Sequence, residues 1–288
     1  MKYALFLGCT IPARLKQYET SARAVLENLN IELIDIPDFN CCGYPIRNFD
    51  NDSYLLSSAR NIAIAQSQDL DLLTLCKCCY GSLKNAEHTM KEDPDKREKI
   101  NVYLKSEGFE FKDGIEIRHM LSVLYHDVGI ESLREKIIKP YKNINIATHY
   151  GCHALRPSDI VNFDDPVNPS LFDQLVEITG ANSINWSKRL DCCGAPLLGV
   201  NDELSMDIME EKLRNGKDSG ADYLCVACPY CHLQFDHGQR MMISDRDLSE
   251  SLSSLLYTQL LGLSMGIESD SLQIESNEFD ISGIRNYL

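Results

Sequence analysis

Positive charge is the first thing in short supply. The 288 residues carry 28 Lys and Arg against 43 Asp and Glu, a formal net charge of −15. So acidic a chain repels phosphate backbones and anionic headgroups, and no nucleic-acid partner is expected. An anionic ligand would have to be held by local Lys and Arg working against the overall field. Long apolar runs are also missing. No stretch approaches the roughly 18 residues that cross a bilayer, so direct membrane insertion is not expected and the reading is cytoplasmic. The opening MKYALFLGCTIPAR has a short apolar run that stops at Gly8-Cys9 and is followed by Arg14 and Lys16; it reads as a first strand rather than a secretory leader. With no such leader, a disulfide framework is not the first reading of the cysteines. The ferredoxin arrangement, several cysteines within about a dozen residues, is absent as well.

What the chain has is twelve cysteines, and most of them are written twice. The first half reads FLGCT at 6–10, NCCGYP at 40–45 and LCKCCYGSL at 75–83. The second reads HYGCH at 149–153, DCCGAP at 191–196 and ACPYCHLQF at 227–235. The order is Gly-Cys, then Cys-Cys-Gly-x-Pro, then Cys-x-x-Cys. Thirty-one residues separate Cys9 from Cys41 and thirty-nine separate Cys152 from Cys192; thirty-three separate Cys42 from Cys76 and thirty-four separate Cys193 from Cys228. Five cysteines recurring in one order with similar gaps mark an internal duplication.

Short β-prone runs at 2–7, 31–36, 72–75, 144–148 and 222–226 alternate with helical periodicity at 20–29, 52–68, 80–92, 170–180, 202–219 and 230–241. Helix-like stretches at 117–129 and 255–266 close the two halves. Asn201, Asp202 and Glu203 read as a helix start and Gly220 as its stop. This alternation predicts an α/β fold, internally duplicated into two Rossmann-like halves with parallel sheets, the cysteine motifs standing at the C-terminal ends of strands, where such folds bind ligands. The expected division is 1–140, 141–266 and a polar, acidic tail at 267–288, which could pack on a partner or wrap the first half.

Five thiols per half exceed the four that a tetrahedral zinc site takes. Adjacent cysteines face one object only in a turn, and Gly43-Tyr44-Pro45 and Gly194-Ala195-Pro196 supply turn chemistry. Ordinary iron–sulfur clusters use four cysteines, so five suggest a multi-iron cluster of unusual shape. A zinc-bound scaffold remains the colourless alternative to a brown iron–sulfur protein.

The duplicated pattern resembles the cysteine-rich CCG domain family. Within it, HYGCHALRPS (149–158), CPYCHLQFD (228–236) and YTQLLGLSMG (257–266) resemble the B subunits of methanogen heterodisulfide reductases. The resemblance implies two non-cubane 4Fe–4S clusters and reductive cleavage of the mixed disulfide of coenzyme M and coenzyme B. It also implies two partners in a larger complex: the reductase's iron–sulfur C chain as electron donor, and beyond it the flavoprotein A chain. Carried over by position, one cluster would use Cys9, Cys41, Cys42, Cys76 and Cys79, and the other Cys152, Cys192, Cys193, Cys228 and Cys231. Cys78 competes with Cys76 for the first set, and Cys225, inside a strand, reads as a buried structural residue. Turnover is expected to depend on Cys193, with His153 as a candidate proton donor to a departing thiolate. His149 and His232 also lie near the motifs. The substrate's anionic groups call for cations, and Arg14 and Arg156, a few residues beyond cluster cysteines, are favoured over Lys16 and Arg47. Trp186, Tyr80, Tyr150 and Tyr230 read as packing, and His88, His119, His126 and His237 as residues without chemistry. CCG domains also occur in lactate, glycolate, glycerol-3-phosphate and succinate oxidising systems, so a pure electron-transfer role is the alternative within the same family.

Overall fold

The computed structural model describes residues 1–246 and 251–288. Two four-stranded sheets form the frame. The first holds β1 (Lys2–Phe6), β2 (Glu32–Ile34), β3 (Leu72–Thr74) and β4 (Ile117–His119), in the order β2-β1-β3-β4. The second holds β5 (Asn145–Thr148), β6 (Asn182–Ile184), β7 (Tyr223–Val226) and β8 (Ser254–Leu256), in the order β6-β5-β7-β8. Every pairing is parallel. The central strands are buried on both faces, as sheets covered by crossover helices must be: Ala4, Leu5, Phe6, Leu72, Leu73, Ile146, Ala147, Leu224 and Val226 are all shut away from water.

The duplicated α/β class expected from the alternation is what the chain adopts. Each half also has strands that periodicity does not reveal. β4 and β8 open the stretches 117–129 and 255–266, which read as helix throughout. Each is only three residues long, Ile-Arg-His and Ser-Leu-Leu, and runs straight into a helix, so spacing cannot separate it from the helical pattern. β6, Asn-Ser-Ile, is simply too short and polar to stand out. A further helix, Pro94–Ser106, begins on Asp93, whose carboxylate accepts from Lys96 N. The helix Asp202–Asp218 starts where expected, with Asn201 Oδ1 accepting from Leu204 N at 3.1 Å, and Gly220 ends it at φ +87°.

The halves interlock rather than hang as beads. The helix Tyr257–Ser264 of the second half packs on the helix Lys16–Asn28 of the first. At their contact the buried hydroxyls of Ser21 and Thr258 lie 2.6 Å apart. Tyr125 of the first half donates to the Gln174 side-chain carbonyl of the second. The tail is part of this joint: the helix Ser269–Leu272 also packs on Lys16–Asn28, and Gln17 donates to the Ser276 carbonyl. Gly262 makes room for it, since a Cβ there would stand 2.4 Å from Leu272 Cδ2. Of the two roles open to the tail, bracing the first half is the one seen.

Candidate metal centre

Three loops in each half deliver the thiols, and the glycines explain how. β1 runs out through Leu7 to Gly8, at φ +67°, and β5 through His149 and Tyr150 to Gly151, at φ +73°. A Cβ on Gly8 would sit 2.9 Å from Cys79 Sγ; one on Gly151 would sit 3.3 Å from His149 Nε2 and 3.9 Å from Cys231 Sγ. The backbone must pass beside sulfur there in a left-handed conformation, so glycine is required. The second loop turns at Gly43 (φ +80°) and Gly194 (φ +88°), where a Cβ would approach the backbone oxygens of Tyr54 and Ser205 to 2.9 and 2.8 Å. The third loop places Cys76 and Cys228 just before helices; Cys76 Sγ caps its helix by accepting from Cys79 N at 3.4 Å.

The thiols of each half form an unbroken series. Cys9 Sγ is 3.6 Å from Cys41 Sγ. Cys41 and Cys79 hydrogen-bond to Cys42 and hold it down to about 4. Cys79 in turn meets Cys76. In the second half Cys152 and Cys193 hold Cys192 down to about 2, Cys193 meets Cys231, and Cys231 meets Cys228. Bonds from Cys231, Cys76 and Cys78 keep Cys228 well below the usual thiol range. Thiolate is the form that binds metal. The two series touch: Cys76, Cys78 and Cys228 sulfurs lie within 4.8 Å of one another, as do the ligand atoms of His149, Cys193 and Cys231. Most of these cysteines are buried, with Cys9 exposed and Cys41, Cys152 and Cys192 half-buried at the mouth. Ten sulfurs in two closely packed sets, most of them buried, beside backbone that tolerates no Cβ, suit a sulfur-ligated multi-iron group in each half.

All ten expected ligands are therefore brought together. Cys78 Sγ lies 3.4 Å from His153 Nδ1 and meets Cys76 and Cys228, while Cys76 Sγ also accepts from Cys79 N. Cys225 stands apart in β7, fully buried, its thiol pushed up by desolvation. His153 Nδ1 also lies 3.3 Å from Cys152 Sγ, and burial holds its imidazole below the usual range. His149 Nε2 is 3.2 Å from Cys231 Sγ. His232 sits behind the site, 3.4 Å from Ser254 Oγ. The aromatic residues brace: Tyr80 donates to Val161 O, Tyr150 to Asp173 and Trp186 to Thr148 O. Arg14 ends the exposed helix Thr10–Arg14, and Arg156 is exposed beyond Cys152.

Two site neighbours escape sequence reasoning. Lys77 is buried, its ammonium donating to the His149 and Tyr150 carbonyls at 3.1 and 2.8 Å and lying 4.9 Å from the Phe172 ring. Its place between two cysteines is the available signal. Lys212 is buried too, donating to the Lys188 and Asp191 carbonyls just before Cys192, and burial lowers it to about 8. Nothing in its polar helix distinguishes it from surface lysines.

Comparison with known proteins agrees with this architecture. The profile of the CCG cysteine-rich domain matches residues 3–84 and again 146–236, once per half. The B chain of ferredoxin:CoB-CoM heterodisulfide reductase from Methanosarcina mazei is 40% identical, covering 96% of this chain and 93% of its own. The 8-methylmenaquinol:fumarate reductase membrane anchor subunit of Wolinella succinogenes is 30% identical, over 97% of both chains. The crystal structure of a hypothetical protein from Helicobacter pylori superposes with a TM-score of 0.77 at 18% identity, covering 97% of this chain and 52% of that one. No helix among the described residues is long and apolar enough to cross a membrane.

Proposed function

The chain belongs to the cysteine-rich CCG domain family, together with heterodisulfide reductase B subunits, and from that premise we propose that it is the catalytic iron–sulfur subunit of a heterodisulfide reductase. The reaction is the reduction of the mixed disulfide of coenzyme M and coenzyme B: one S–S bond breaks, two electrons and two protons enter, and two thiols leave. The observation that carries this reading is the meeting of the two thiol series at Cys76, Cys78 and Cys228. A two-electron reduction at one S–S bond is served by two one-electron sites side by side.

Cys9, Cys41, Cys42, Cys76 and Cys79 would hold one non-cubane 4Fe–4S cluster, and Cys152, Cys192, Cys193, Cys228 and Cys231 the other. When bound, the clusters supply the electrons, one at a time. The protein's own groups do the rest. His153, 3.4 and 3.3 Å from the Cys78 and Cys152 sulfurs, holds a proton where a product thiolate departs. The rings of Tyr44 and His153, 4.9 Å apart, and of Tyr230 beside them, 6.2 Å from Tyr44, wall off water. Electrons come from the reductase's iron–sulfur C chain, backed by its flavoprotein A chain, in a cytoplasmic complex. The divisions 1–140, 141–266 and 267–288 are the corresponding units.

The test is metal analysis and assay of the anaerobically purified protein. About eight irons and about eight acid-labile sulfides per chain are expected for two such clusters, with reduction of the mixed disulfide by a reduced viologen. Zinc and no colour would overturn the reading. The likeness to the fumarate reductase relative supports a second reading, a relay that passes electrons without cleaving a disulfide. Full iron content with reoxidation by a quinone and no disulfide reduction would select it.

A further inference from the structure

The cavity lined by all five cysteines of the second set is not closed by the second half alone: Lys77 and Cys78 of the first half also line it. Lys77 opens the helix Lys77–Glu92 directly after Cys76, so its backbone belongs to the first set. Its side chain crosses the seam. The buried ammonium donates at 3.1 and 2.8 Å to the carbonyls of His149 and Tyr150, the two residues that lead into Gly151 and Cys152. Its nitrogen lies 4.9 Å from the centre of the Phe172 ring, also of the second half. Among the described residues no carboxylate pairs with it, and the negative groups that bear on it include the Cys231, Cys228 and Cys152 thiolates. Lys212, by contrast, has the Asp191 carboxylate in its field. A buried cation without a carboxylate is costly unless some other negative group answers it. The duplication offers no return for this reach. Cys76-Lys77-Cys78-Cys79 corresponds to Cys228-Pro229-Tyr230-Cys231, and Pro229 carries neither a charge nor an N–H.

We infer that Lys77 is a positioning residue lent by the first half to the second half's cluster: it pins the loop that carries Cys152 and supplies the fixed positive charge that offsets the second thiolate set, raising that cluster's reduction potential. The inference rests on the reading that each thiol set holds an iron–sulfur cluster. An electron added to a thiolate-ligated cluster adds one negative charge. A cation buried beside it, where water screens little, favours that reduced state. Lys77 follows Cys76 in the chain, yet its ammonium points away from the first set and into the second half. The effect therefore falls on one cluster, and the two one-electron sites are made unequal by a residue that belongs to the other half.

The experiment is a redox titration of the anaerobic, cluster-loaded protein, followed by electron paramagnetic resonance, on the native chain, Lys77→Met and Cys193→Ser, with iron and sulfide measured on each. Cys193→Ser identifies the second half's signal as the one it removes or alters. Lys77→Met keeps most of the side chain's length and loses the charge. In it that signal should titrate about 59 mV lower or more, a tenfold shift in a one-electron equilibrium, while the other signal stays in place. Equal shifts in both signals, or none in either, overturn the inference. Should Lys77→Met lose iron, Lys77→Arg decides, because it restores the charge. Retention of both clusters by the Arg variant supports the counter-charge; the same loss of iron with the charge present shows that the position needs lysine's shape instead, and overturns it. Failure of the wider reading looks different. Zinc without iron in the native protein removes both. A native protein that holds two titrating clusters but reduces no disulfide removes the reductase reading and leaves the role of Lys77 standing.

Discussion

The two halves share a backbone and a thiol set but not their surroundings. Gly8 and Gly151, Gly43 and Gly194, and the five cysteines of each half correspond one for one. The residues behind the thiols do not. Where the first half has Phe6, whose Cε1 lies 3.8 Å from the Cβ position of Gly8, the second has His149, bonded to Cys231. Where the first half ties its Cys-Cys loop with Asn61, which donates to Asn40 Oδ1 and Cys41 O, the second uses the ammonium of Lys212. Lys77, though it follows Cys76, directs its charge to the carbonyls of His149 and Tyr150. Duplication has kept what geometry demands and varied what sets the electrostatics. The second site has a hydrogen-bond donor and two buried cations near sulfur; the first has hydrocarbon and a neutral amide.

The largest effects fall on what the halves share. Cys42→Ser and Cys193→Ser should each lose about half of the iron and sulfide, and Cys193→Ser should abolish disulfide reduction; normal turnover by Cys193→Ser would remove the two-site reading. The glycines should separate the halves. Gly8→Ala puts a methyl 2.9 Å from Cys79 Sγ, whereas Gly151→Ala meets its nearest atom, His149 Nε2, at 3.3 Å. Both are strained by positive φ. Gly8→Ala should therefore deplete iron more severely than Gly151→Ala, and equal losses would show that φ, not the sulfur contact, dominates.

Next in size is the loop anchor. Lys212→Met leaves the Lys188 and Asp191 carbonyls without their donor. Stranding buried acceptors costs about 1–3 kcal/mol, a fall in Tm of about 2–4 °C per kcal/mol for domains of this size. Asn61→Leu severs its bonds to Asn40, Cys41 and Ser57 and should cost a similar amount. Only Lys212→Met removes a charge from beside the thiols. It alone should also lower the reduction potential of one cluster, and a potential unmoved in both variants would dissolve the electrostatic difference.

The parts legible in the sequence are those written as short-range chemistry. Cys-Cys-Gly-x-Pro announces its own turn, and twice over it announces the duplication and the convergence of Cys9, Cys41, Cys42, Cys76 and Cys79 with their counterparts. β4 and β8 stay hidden because three residues joined directly to a helix are too few to establish a strand period of their own. The seam is hidden for a different reason. Contacts such as Cys78 to His153 or Ser21 to Thr258 join residues 75 and 237 positions apart, and no local pattern encodes which face of one half meets the other. Of the two arginines favoured for lying just beyond a cysteine, Arg156 lines a recess beside His153 and Arg14 does not; Arg47 joins it there, brought in by the fold rather than by sequence distance.

The finest difference is Phe6 against His149. His149 Nδ1 is buried with no partner among the described residues, and Nε2 faces Cys231 Sγ at 3.2 Å. Desolvation, with Lys212 and Lys77 nearby, keeps the imidazole well below its usual range and hence neutral. A neutral ring carries one proton. Stranding a bare acceptor in the core costs less than stranding an N–H that can be paired elsewhere, so the proton belongs on Nε2, pointing at sulfur. An N–H donated to a cluster thiolate stabilises the reduced, more negative state and raises the potential. His149→Phe should then shift the reduction equilibrium of one cluster by about tenfold, or about 59 mV for one electron, and leave the other in place. Phe6→His tests the converse, raising the lower potential if the new ring reaches Cys79. Redox titration followed by electron paramagnetic resonance reads both. Two potentials that already coincide in the native protein would mean that the buried cations and the His149 bond cancel, and that the halves differ in composition without differing in work.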